Sequence, residues 1–226
     1  MADFILDTVT GSGNLSTHTG ETGATWTLHP DSNSGALTNF VLNGSGLVQH
    51  QPGGSSLDTF VTPSGTPVSA EYAVEVIFRI PSATHHSPDL SVFARYQSSP
   101  SRYYWAYVDP DPFPATTATI YFIERDAGGS NTLYIGTISL ADDTDHTLLM
   151  EISDAAKKLT INGTLLANSA VNGATAAGEI VLNQYTQIGY AGFQLTSFRA
   201  YDIAPPPPPA PTPDFWTSFV GSHEVP

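Results

Sequence analysis

The chain has 226 residues, with seven Lys and Arg set against 21 Asp and Glu for a formal charge of −14 at pH 7. That balance repels phosphate backbones and anionic bilayers, which argues against nucleic acid or a membrane as partner. It contains no cysteine, 19 Gly and 18 Pro, so disulfides cannot hold the fold, and frequent turns between short strands are expected rather than long helices.

Phe4-Ile5-Leu6-Asp7 opens a strand, and a glycine-rich crossing follows to Trp26. The opening Met-Ala-Asp-Phe-Ile-Leu-Asp has neither a basic nor an apolar leader region, so no Sec-type signal is encoded there. Two short strands are expected at Ala36–Leu42 and Leu47–Gln49, around the hairpin dipeptide Asn43-Gly44. Tyr72, Val74, Val76, Phe78 and Ile80 then alternate with Ala73, Glu75, Ile77 and Arg79, the period of a half-buried strand. Leu90–Tyr96, Tyr103–Val108, Ala118–Arg125 and Thr132–Leu140 are further strands, separated by Pro- and Gly-rich breaks. From Asp145 to Ala167 the chain reads as a strand with Leu148, Met150 and Ile152 on one face, a polar loop, a second strand, the turn Asn162-Gly163 and a third strand. Asn-Gly accepts positive φ at both centres of a type I′ turn. Glu179–Leu182, Gln187–Tyr190 and Phe193–Tyr201 complete the set, giving an all-β, two-sheet antiparallel sandwich over residues 1–203. Tyr72, Val74, Val76, Phe78, Leu148, Met150 and Ile152 are its expected core.

The His146-Thr147-Leu148 strand leading to Ile161-Asn162-Gly163 resembles the late hairpin of concanavalin A-like and laminin-G-like jelly rolls. The opening is similar to that of jelly rolls in bacteriophage structural proteins, with Asp7, Leu15, His18, Gly23 and Trp26 at matching points and Val9 where an aromatic is usual. His18 and Trp26 are read as rings pinning the first strand over the sandwich edge.

Catalysis finds no support in the pattern. Glucanases of this scaffold carry three alternating acidic residues on one strand, so that two carboxylates face each other about 5–5.5 Å apart. Here Glu71 and Glu75 have no acidic residue between them, and Glu124 stands alone before Arg125; all three read as a solvated strand face. No Gly-x-Ser-x-Gly elbow is present. The chain is therefore expected not to be an enzyme.

Binding has three candidate places. Tyr103, Trp105 and Tyr107 share one face of their strand and could form a sugar-stacking platform with Arg95, Arg102 and Asp109 as a polar rim; core packing explains the same row, since aromatics dominate sandwich interiors. Asp142, Asp143 and Asp145 resemble the acidic turn before the late hairpin, where laminin-G-like domains often hold a rim Ca²⁺; the loop lacks the spacing of a dedicated calcium site, and turn chemistry accounts for it. His85-His86 with Asp89 is a second cluster of ligand type, in a Ser/Pro-rich loop.

Residues 204–213 form a polyproline linker, in which Pro205 to Pro213 would span about 28 Å at about 3.1 Å per residue. Beyond it, 214–226 is an apolar tail in which Phe215, Trp216, Phe219 and Val220 share a face if Asp214 caps a helical turn. The tail is expected to dock on a neighbouring subunit or another virion protein. Together with the phage-like opening, this gives the expectation of a non-catalytic virion protein, a capsid decoration or tail-associated module on the virion surface that displays a lectin-like jelly roll. The alternative is a secreted carbohydrate-binding module or lectin that binds a cell-surface or environmental glycan.

Overall fold

A computed structural model describes residues 3–50, 57–82, 88–99, 101–110, 116–170, 177–186 and 191–203. In chain order its strands are β1 (Asp3–Asp7), β2 (Ser12–Asn14), β3 (Trp26–Leu28), β4 (Phe40–Asn43), β5 (Leu47–His50), β6 (Leu57–Pro63), β7 (Tyr72–Arg79) and β8 (Asp89–Ser98). They continue as β9 (Ser101–Pro110), β10 (Thr117–Asp126), β11 (Gly129–Ser139), β12 (His146–Ile152), β13 (Lys157–Ile161), β14 (Thr164–Ser169), β15 (Glu179–Thr186) and β16 (Ala191–Asp202). One sheet runs β14-β13-β12-β7-β16-β5-β4-β2, with β1 paired to β16, and the other runs β11-β10-β9-β8-β15-β6-β3; every pairing is antiparallel. Among the described residues no helix is long and apolar enough to cross a membrane.

Alternation delivers the expected core. Tyr72, Val74, Val76, Phe78, Leu148, Met150 and Ile152 are all fully buried, and Val76 sits between Leu148 on β12 and Phe198 on β16. The β13–β14 turn has positive φ at both Asn162 (50°) and Gly163 (76°), as the type I′ reading requires. The earlier hairpin differs: Leu42 pairs with Leu47, and Asn43 turns the loop by accepting from the Ser45 amide at 3.0 Å, so three residues connect β4 and β5 rather than two. Residues 37–39 form a 3₁₀ turn before β4, where a continuous strand from Ala36 was expected; the Asn39 side chain accepts from the Ala36 amide at 2.8 Å and closes that turn. The expected strand Gln187–Tyr190 lies outside the described residues, as do the linker and tail with Phe215, Trp216, Phe219 and Val220.

Asp7 ties the N-terminal strand down. Buried on β1, it accepts from the Val9 amide, from Trp26 Nε1 and from His18 Nε2, each at 2.7 Å. The amide contact holds Val9 at φ 43°, a left-handed conformation that a β-branched residue resists. Replacing Asp7 by Ala would orphan two ring donors and release that turn. We expect a loss of about 3 kcal/mol in urea unfolding, with Asp7→Asn intermediate.

Candidate functional site

The outer face of the second sheet is paved with rings. On β9, Tyr104, Ala106 and Val108 point into the core and are fully buried, whereas Tyr103, Trp105 and Tyr107 are half-buried on the opposite face. The row is thus a surface, and core packing does not explain it. Phe93 on β8 lies directly opposite Trp105, with the two rings stacked at 5.7 Å and 4°. Tyr107 meets Tyr121 of β10 at 5.4 Å, and Phe60 of β6 meets Phe93 at 5.8 Å. Phe60, Phe93, Tyr103, Trp105 and Tyr107 line a trough of about 450 Å³. Trp105 Nε1 itself is buried, with no hydrogen-bond partner among the described residues.

The rim is not what the sequence suggested. Arg95 is fully buried, its Nε donating to the Ala70 carbonyl at 2.8 Å and its Nη2 to Asp154 at 3.3 Å, so it lines no outer surface. The cause is a bulge between Ala94 and Gln97: Arg95 takes φ 53°, turns inward beside Ala94, and passes the outer face to Tyr96. Gly178 makes room, because a Cβ there would come within 2.4 Å of the Arg95 carbonyl carbon. Arg102 alternates away from Tyr103, and its Nε has no partner among the described residues. Among the described residues no Lys or Arg lines the trough.

Acids mark one end instead. Asp58 and Asp89 both pair with Tyr185 of β15, and Asp58 accepts from Asn183 at 2.7 Å and Asn33 at 3.1 Å. Burial pushes the Asp89 carboxyl up to about 7; the hydroxyl of Tyr107 works against this by donating to it, while the charges of Asp109 and Asp58 add to the rise. In the unfolded chain the group titrates near 3.8. The folded state therefore keeps a proton the unfolded chain has lost between about pH 4 and 7, and this residue's contribution to stability falls as pH rises through that window. Urea unfolding from pH 4 to 8 should show that slope, and Asp89→Asn should flatten it and leave the variant the more stable protein at pH 8.

The remaining candidates resolve as structure. Glu124 is fully buried, not solvated: it accepts from the Tyr104 hydroxyl at 2.7 Å and from Asn131 at 3.1 Å. Asp145 is clamped by Arg79 through Nε at 2.5 Å and Nη2 at 3.1 Å, and Asp143 accepts from the Ser82 amide at 3.2 Å, so two of the three turn carboxylates are used in closing loops. Among the described residues no three His, Cys, Asp or Glu side chains converge as a metal site. His85 and His86 lie outside the described residues; Asp89 is in the trough. Phe60, Phe93, Tyr96 and Tyr185 were missed as site residues, and only the pairing of strands reveals them.

No protein-family model matches the sequence, and no curated protein does. Solved structures match along most of the chain. Bacillus licheniformis β-glucanase superposes with a TM-score of 0.56 at 14% identity over 85% of this chain and 99% of its own. The carbohydrate binding module CBM66 from Bacillus subtilis gives 0.51 at 16%, over 76% and 94%. The fold is the concanavalin A-like jelly roll. The CBM2 module of the evolved Dit of Lactobacillus casei BL23 phage J-1 shares it, with a TM-score of 0.57 at 11% identity over 88% and 94%.

Proposed function

We propose that this jelly roll is a non-catalytic glycan-binding module. The observation that carries the reading is the trough on the outer face, where the half-buried rings of Trp105, Tyr103 and Tyr107 lie beside Phe93. Flat rings offer sugar C–H faces a stacking surface, and a few convergent polar groups supply orientation. Asn183, Ser91 and Asp89 provide those groups beside the rings. Against catalysis, Asp58 is held on both oxygens by amides, and Glu124 is locked in the core. A glycan microarray followed by calorimetry tests binding, and a reducing-sugar assay on the same glycans tests turnover. Binding without sugar release is the expected result; release would make the protein a glycoside hydrolase.

The setting we propose is a virion surface, with the 214–226 tail docking on another virion protein. The phage-like N-terminal pattern built on Asp7, His18 and Trp26 supports this, and so does the shared fold of a phage Dit module. Co-purification of the full chain with particles, lost in the Phe215/Trp216 double alanine variant, is the expected outcome. Normal incorporation of that variant would remove the docking role.

A further inference from the structure

A second cavity of about 470 Å³ opens at the end of the sheet opposite the acids Asp58 and Asp89. Tyr96 walls both cavities. It stacks on Tyr103 at 5.3 Å and 10° on the trough side and meets His29 edge-on at 5.0 Å and 88° on the other. His29 is buried and fixed: its Nδ1 accepts from the Asp31 amide at 3.1 Å, which leaves the proton on Nε2, 3.2 Å from Glu179 Oε2. Tyr96 donates its hydroxyl to Asp31 at 2.7 Å. Glu179 is 60% exposed and offers its carboxylate to the cavity. The arrangement depends on the bulge, because a regular β8 would put Arg95 on this face and turn Tyr96 inward.

We propose that the two cavities are one binding trough, running along β8 and β9 from Asp89 past Trp105 and Tyr96 to His29 and Glu179, and that it takes a linear, uncharged oligosaccharide longer than the Trp105 platform. The inference rests on the glycan-binding reading of the platform and extends it. Length follows from continuity: the ring path from Trp105 through Phe93 and Tyr96 to His29 has no step beyond 5.7 Å between centroids. Absence of charge on the ligand follows from the walls. Carboxylates stand at both ends, Asp58 at one and Glu179 at the other, and among the described residues no Lys or Arg lines either cavity. Uronates and sulfated sugars would meet like charge with no counter-ion, which is how a site rejects a class of ligand.

The test uses the full chain with neutral cello-, laminari- and N-acetylchito-oligosaccharides from dimer to hexamer, titrated calorimetrically. In the series that binds, the hexamer should bind about tenfold or more tighter than the trimer, since units added on one chain bind without a new association cost. Glu179→Ala removes the polar contact at the far end. Ser98→Trp, at an exposed lining position, fills the cavity without touching the core. Both should bring the hexamer down to the trimer's affinity while the trimer's own is unchanged. If the trimer binds through Trp105 but the hexamer gains nothing, or if the gain survives in both variants, the second cavity is no part of the site. If no series binds at all, the platform reading falls, and this proposal with it.

Discussion

Replacing Val76 by Asp is expected to abolish cooperative folding. Val76 lies at the centre of its sheet, fully buried between Leu148 and Phe198, which are themselves fully buried. A carboxylate at that point has no partner within the pairing, and its desolvation penalty rivals the roughly 5–15 kcal/mol that holds a whole domain together. Near-UV circular dichroism should show no folded baseline, with compact aggregation-prone material in its place. Ile152→Asp provides an internal comparison. Ile152 is equally buried but lies opposite Lys157, whose ammonium is already inside, donating to the Asp154 carbonyl at 3.3 Å. A new carboxylate there can pair with a buried cation, so it should be the milder variant. A Val76→Asp protein that melted within about 1 kcal/mol of wild type would refute the packing of the two sheets.

Trp105→Ala should act on binding alone. Its ring is half-buried on the outer face, stacked on Phe93, and its Nε1 has no partner among the described residues, so truncation breaks no internal hydrogen bond. Centrally placed aromatic anchors typically account for about 2 kcal/mol or more of a binding energy, which corresponds to at least about a 30-fold loss of affinity. Tyr107→Phe should do less to binding. It would, however, push the Asp89 carboxyl higher still by removing the hydroxyl that opposes the rise. A Trp105→Ala protein with unchanged glycan affinity would remove the platform.

The sheets were legible in the sequence where apolar residues face the core and polar ones face out, as in β7 and β12. They became illegible where that order inverts. In β6 the buried positions include Thr59, bonded to Gln49 at 2.7 Å and to the Ser34 carbonyl at 3.1 Å, while Phe60 faces outward against Phe93; the strand carries its aromatic on the wrong side for a periodicity reading and escaped detection. In β15, read from the sequence only as far as Leu182, Gln184 and Thr186 are inside and Tyr185 outside, so its second half went unread. Inversion of this kind is expected where a sheet builds a binding face, because its apolar groups are there to meet a ligand. The Tyr103–Tyr107 row was visible from spacing two, but its direction was not, since alternation fixes which residues share a face and leaves open which face is the core. Arg95 was misplaced because a bulge shifts the phase by one residue, and nothing in Ala-Arg-Tyr announces a left-handed arginine.

The central claim, that the trough is a sugar site centred on Trp105, is tested most directly by the indole N–H resonances of the protein titrated with the glycan that the array identifies. There are three tryptophans. Trp26 Nε1 is already bonded to Asp7 at 2.7 Å, Trp216 belongs to the tail, and Trp105 Nε1 is the donor with no partner among the described residues. The Trp105 signal should shift in proportion to occupancy as a sugar packs on its ring and changes the field at the N–H, with the Trp26 signal fixed. Saturating glycan that leaves the Trp105 signal in place would contradict the account.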